Sequence, residues 1–155
     1  MKRSILLVSF LLILAIPVFA GWTVVDLGRA TAYGVFEGQQ TGTISVSGLP
    51  HASLWNGTAS SVVDLNPEGS SFSFALGISS GQQVGYATFG GLGGMSHASL
   101  WTGTAASWVD LHPAGALASR ALATSGNQQA GMIMVSRENG MNKYRGGYWT
   151  GTADR

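Results

Sequence analysis

Hydrophobic and polar positions alternate in short runs along most of this chain. In His97–Trp101, Ala98 and Leu100 fall on one face of an extended segment, and His97, Ser99 and Trp101 fall on the other. Four strand-like runs follow one another in the central stretch: Ser61–Leu65, Phe72–Ile78, Gln83–Phe89 and His97–Trp101. Turn chemistry separates them: Asn66-Pro67-Glu68-Gly69, Ser79-Ser80-Gly81 and Gly90-Gly91-Leu92-Gly93-Gly94, with Asn56-Gly57-Thr58 ahead of the first. Beyond residue 20 no stretch keeps a helical apolar period over a helix length, so the pattern predicts an all-β fold. Leu100 and Trp101 on opposite faces of one strand predict a sheet covered on both sides. Propeller blades meet that condition; a meander with one wet face does not need it.

The pattern repeats. HASLWNGTASSVVDL at His51–Leu65 returns as HASLWTGTAASWVDL at His97–Leu111, 46 residues later and identical at twelve of fifteen positions. Three markers recur in order: Val-Asp-Leu at Asp26, Asp64 and Asp110; Gln-Gln-x-Gly at Gln39, Gln82 and Gln128; and Trp-x-Gly-Thr at Trp55, Trp101 and Trp149. Repeats of this length point to propellers, solenoids or arrays. The expected architecture is three four-stranded repeats of about 46 residues forming β-propeller-like blades. Three units of four strands also suit a β-trefoil, and a fragment of a longer propeller is a further alternative. The segment Trp22-Thr23-Val24-Val25-Asp26-Leu27 supplies what the last unit needs after Trp149, so an N-terminal strand completing that unit is expected.

The first twenty residues stand apart. Lys2 and Arg3 precede an uncharged apolar run from Ile5 to Phe19, and small residues flank a cut after Ala20. This is the form of a secretory signal peptide over 1–20, too short to span a membrane, which leaves 21–155 as a single β-repeat domain with no membrane span. Of eight Lys/Arg, two leave with the leader, so the remainder is formally −1 and carries no basic patch for nucleic acid. An exported chain with no cysteine fits a bacterial secreted protein, extracellular or periplasmic, held by its core rather than by disulfides.

The candidate chemistry is all repetitive. Asp26, Asp64 and Asp110 stand at strand ends, where a carboxylate accepts backbone N–H bonds from the next turn. One glutamine of each pair at Gln39, Gln82 and Gln128 faces inward by alternation, where its amide can bridge neighbouring units. Trp55, Trp101 and Trp149 are either core residues pinning unit to unit or a row of platforms for stacking sugar rings. His51 and His97 are equivalent, but Arg145 takes their place in the third unit and His112 stands where Asn66 stood. That is no metal-ligand set, and no nucleophile elbow, phosphate loop or HExxH pattern occurs. No cofactor is expected.

The unit HASLW…VDL…SSGQQVGY resembles the bacterial extracellular repeat family called HAF. His51-Ala52 and His97-Ala98, with Leu54-Trp55 and Leu100-Trp101 behind them, carry the likeness; Ser53 and Ser99 stand where that family has Phe. The resemblance implies a propeller-like repeat protein outside the cytoplasm and assigns no catalytic residue. The expected function is therefore an exported non-catalytic structural or protein-interaction module that self-associates through open blade edges. A lectin-like glycan binder with one weak site per repeat is the alternative, and a polysaccharide-directed enzyme the second.

Overall fold

A computed structural model describes residues 21–150. The expected signal peptide lies outside the described residues. The described chain is all-β, with eleven strands in three antiparallel sheets. The first sheet holds β1 (Ala30–Phe36), β2 (Gln39–Val46), β3 (Leu49–Trp55) and β4 (Val63–Asp64). The second holds β5 (Phe72–Ser79), β6 (Gln82–Thr88), β7 (Ser96–Trp101) and β8 (Val109–Asp110). The third holds β9 (Ala118–Ser125), β10 (Gln128–Glu138) and β11 (Met141–Thr150). Two short 3-10 turns, Ala59–Ser61 and Ala105–Ser107, precede β4 and β8. Among the described residues no helix is long and apolar enough to cross a membrane.

Each sheet is a meander of neighbours in sequence. Tight two-residue turns build it: Glu37-Gly38, Ser47-Gly48, Ser80-Gly81 and Asn139-Gly140 all have positive φ at both residues, the backbone that matches strand twist. A second glycine role is steric. Gly42, Gly85 and Gly131 of the Gln-Gln-x-Gly marker face the carbonyls of Thr31, Phe74 and Arg120, and a Cβ at any of them would land on that oxygen. Opposite each, the partner strand bulges by one residue, at Tyr33, Leu76 and Leu122. The bulge increases local twist and lets the backbones close over the glycine.

The sheets stack in chain order. One core cluster joins Ala52, Leu54 and Leu65 of the first sheet and its exit to Ala75, Ile78 and Trp101 of the second. The other joins Val84, Ala98, Leu100 and Leu111 to Ala121 of the third, with Trp149 packed against it. Strand β7 is thus apolar on both faces because both are covered: Leu100 looks toward the third sheet and Trp101 toward the first.

Two expectations need correction. The Asp-Leu strand does not open its own unit; β4 and β8 pair with β3 and β7 and so close the preceding sheet. Its pairing is also short, because the 3-10 turn consumes the residues before Val63 and Val109. Second, the third sheet has three strands, and Gly21–Leu27 pairs with none of them among the described residues. Among the described residues no sheet closes on itself.

The marker glycines provide a test. Gly85→Ala should destabilise the protein by about 3 kcal/mol or more, since backbone must move. Gly48→Ala, where a Cβ meets open space but φ is +84°, should cost about 1–2 kcal/mol. Urea midpoints of the two variants measure the difference.

Candidate functional site

The repeated polar residues converge where one sheet meets the next. Leaving β4, the chain turns at Asp64, whose Oδ1 accepts from the Asn66 N–H at 2.8 Å. Asp110 does the same for His112, and Asp26 for Gly28, both at 2.8 Å. The second carboxylate oxygen takes a histidine: His51 Nδ1–H donates to Asp64 at 2.8 Å, and His97 Nδ1–H to Asp110 at 2.9 Å. Asp64 and Asp110 therefore each fix both their own turn and the neighbouring strand.

A serine of the following sheet completes the junction. Ser73 Oγ accepts from the buried Ala52 N–H at 2.9 Å and donates to Asn66 Oδ1 at 2.6 Å. Ser119 Oγ accepts from the Ala98 N–H at 2.9 Å and lies 2.8 Å from His112 Nδ1. His112 Nε2 faces the Ala116 carbonyl at 3.2 Å, so the proton sits on Nε2 and Nδ1 accepts from Ser119. His112 thus does the work of Asn66. Burial holds its pKa below the ordinary 6.5, and the His97 ring stacked on it at 4.0 Å adds to the effect; the Ala116 carbonyl and Asp110 pull the other way. The serines escaped the reading of motifs, although Ser73 and Ser119 share the 46-residue offset of His51 and His97. That offset was the available signal.

Of the second and third pairs, the buried glutamine is the second, Gln83 and Gln129, while Gln39 and Gln40 are both half-buried. Gln40 Oε1 accepts from the Gly57 N–H at 3.0 Å, and its amide donates to the Gly38 carbonyl at 2.8 Å. Gln83 repeats both bonds with Gly103 and Gly81, at 2.7 and 3.0 Å. These amides tie two loops of one sheet rather than two sheets. Across sheets, Gln129 donates to Gln82 Oε1 at 3.1 Å.

The tryptophans do not form a row of platforms. Trp55 and Trp101 are 1% and 0% exposed, so neither offers a ring face to a sugar. Trp149 is half-buried against the second core cluster. Among the described residues no three of His, Cys, Asp and Glu come together as a metal site.

A concavity lies elsewhere, at one edge of the second and third sheets. It encloses about 270 Å³ between Phe72, Leu92, Met95, Arg120, Met134 and Tyr144. Arg120 lies 4.4 Å from the Tyr86 ring centroid and donates to Ser96 Oγ at 3.3 Å. Burial raises the Tyr86 phenol above its usual value, while Arg120 opposes the shift. Beyond the cleft the β10–β11 hairpin extends past its counterparts, with Lys143 paired to Glu138 and Arg137 Nε donating to Asn142 at 2.8 Å. No protein-family profile, curated protein or solved structure matches the chain.

Two outcomes test the junction. Ser119→Ala leaves the Ala98 N–H buried without an acceptor and should cost about 1–3 kcal/mol in chemical denaturation. For His112, the folded pKa is lowered, so the unfolded chain binds the proton more readily. Its stabilisation is complete above 6.5 and falls as pH drops from there through the folded value. His112→Asn should remove that part of the acid sensitivity, read as urea midpoint against pH.

Proposed function

We propose that this chain is an exported, non-catalytic β-repeat protein of propeller-like build that serves as a structural or protein-interaction module. One observation carries the reading: the recurring residues are consumed in holding the sheets and their loops in place. Asp64 and Asp110 bind backbone N–H groups and histidines, Gln40 and Gln83 clamp loops, and Trp55 and Trp101 fill cores. A carboxylate engaged on both oxygens is poorly placed for acid–base work, which weighs against a polysaccharide-directed enzyme. The lectin alternative loses two of its three platforms to burial. What remains for recognition is the part that does not repeat: the cleft at Arg120 and Tyr144 and the long hairpin beside it.

The leader features at Lys2, Arg3 and Ala20 support bacterial export, and the HAF-like units agree with an extracellular or periplasmic setting. The blade reading of the sheets rests on their four-strand meanders, the two-sided burial of β7 and the repeat of the sequence.

Four measurements test the proposal. Mass spectrometry of the exported protein should give a chain beginning at Gly21; an unprocessed chain held in the membrane fraction overturns export. Acrylamide should quench Trp55 and Trp101 poorly, and Trp101→Ala should cost about 3–5 kcal/mol of stability. Glycan binding that falls stepwise with each Trp replaced, at unchanged stability, would instead establish the lectin reading.

A further inference from the structure

The two outer faces of the stack are the unfilled halves of one repeated joint. In the joint between the first and second sheets, Ile78 follows the bulge glycine Gly77 and is 8% exposed against Leu54. Val35 follows Gly34 in β1 in the same way, yet it is 73% exposed. In the joint between the second and third sheets, Leu100 precedes Trp101 and is 7% exposed; Tyr148 precedes Trp149 and is 72% exposed. Val84 is buried, whereas its counterpart Ala130 is open. The first sheet thus shows an unfilled receiving face and the third an unfilled presenting face.

The missing strand matches the same gap. Sheets one and two each end in a Val-Asp strand, with Leu100 opposite Val109 and Ser99 opposite Asp110. The third sheet lacks this strand, and Val24 and Val25 stand exposed. Leu65 and Leu111 are buried in the joints, whereas Leu27 is half-exposed. Carried onto β11, the register sets Val25 opposite Tyr148 and Asp26 opposite Gly147. It also sets Asp26 beside Arg145, which occupies the position that His51 and His97 hold against Asp64 and Asp110. The one unit that changes His to Arg is the one whose Asp has no strand beside it among the described residues, and the charges are opposite.

We propose that a second copy of this chain docks head to tail: the third sheet of each copy packs on the first sheet of the other, and Val24–Leu27 of each adds to β11 of the other. The proposal rests on the propeller-like reading of the sheets. Head-to-tail contacts close a ring only if the rotation fits. Propellers close with about 4–8 blades. The described residues of one copy bring three sheets, below that range, and those of two copies bring six, within it. Asp26 and Arg145 then form a salt bridge across each joint, and Val35 is covered by the partner's Tyr148.

Native mass spectrometry of the purified protein, set against the denatured mass of the same sample, tests this. A ratio of two is expected. Val35→Arg and Arg145→Asp should each raise the dimer Kd by about tenfold or more with an unchanged circular dichroism spectrum. The double variant Asp26→Arg/Arg145→Asp should recover dimer lost in the single. A ratio of one, an open ladder of masses, or a dimer indifferent to Val35→Arg overturns the ring. Poor quenching of Trp55 and Trp101 in a monomeric sample would leave the module reading standing while the ring fails.

Discussion

A strand that is apolar on both faces needs a neighbour on each side, and this constraint governs the whole molecule. Strand β7 satisfies it by placing Leu100 in one core and Trp101 in the other. A large aromatic and a branched aliphatic on alternate positions each release apolar surface from water only if two sheets close on the strand. The middle sheet therefore exists as a middle sheet because its side chains admit no other position. The same composition on the outer sheets leaves Val35 and Tyr148 facing outward, so the pattern that stabilises the centre creates unsatisfied faces at both ends.

Apolar burial does not set the angle or register at which sheets meet; the polar junction does that. Ser73 and Ser119 reach across from one sheet to a buried N–H of the next strand system, at Ala52 and Ala98. Such bonds contribute modestly when made and cost more when broken, because the amide left behind is dry. Asp64 and Asp110 extend the network through histidine, so the turn leaving one sheet and the strand closing it are fixed together. The exchange of Asn66 for His112 preserves the acceptor for the serine while importing a titratable ring. Only the second joint thus sets a titratable ring against its serine.

The fold class was legible because its signals are local. Alternation, turn dipeptides and the repeat located Phe72–Ser79, Gln82–Thr88 and Ser96–Trp101 within a residue or two of their observed limits. What the residues left hidden depends on which strands meet. Nothing within Ser61–Leu65 says that it pairs backward with β3 rather than forward with β5. The inward glutamine was visible as one of a pair, but alternation alone does not choose between Gln82 and Gln83; the stacking of sheets on β6 does, and it buries Gln83. Ser73 and Ser119 looked like ordinary strand serines until the stacking of sheets brought them to Ala52 and Ala98.

Repetition constrains where specific recognition can reside. A residue needed at every joint cannot be altered for a ligand without weakening a joint, so the units share Asp, Gln, Gly and Trp for the sake of packing. Freedom lies in the segments that differ between units. The Gly90–Gly94 loop and the extended β10–β11 hairpin are such segments, and both border the cleft at Arg120. Met132 and Met134 line its floor with adaptable apolar surface, while Arg137, Asn142 and Tyr144 give its rim directional polar groups. The cleft thus joins an adaptable floor to a polar rim, while the rings of Trp55 and Trp101 are spent on the core.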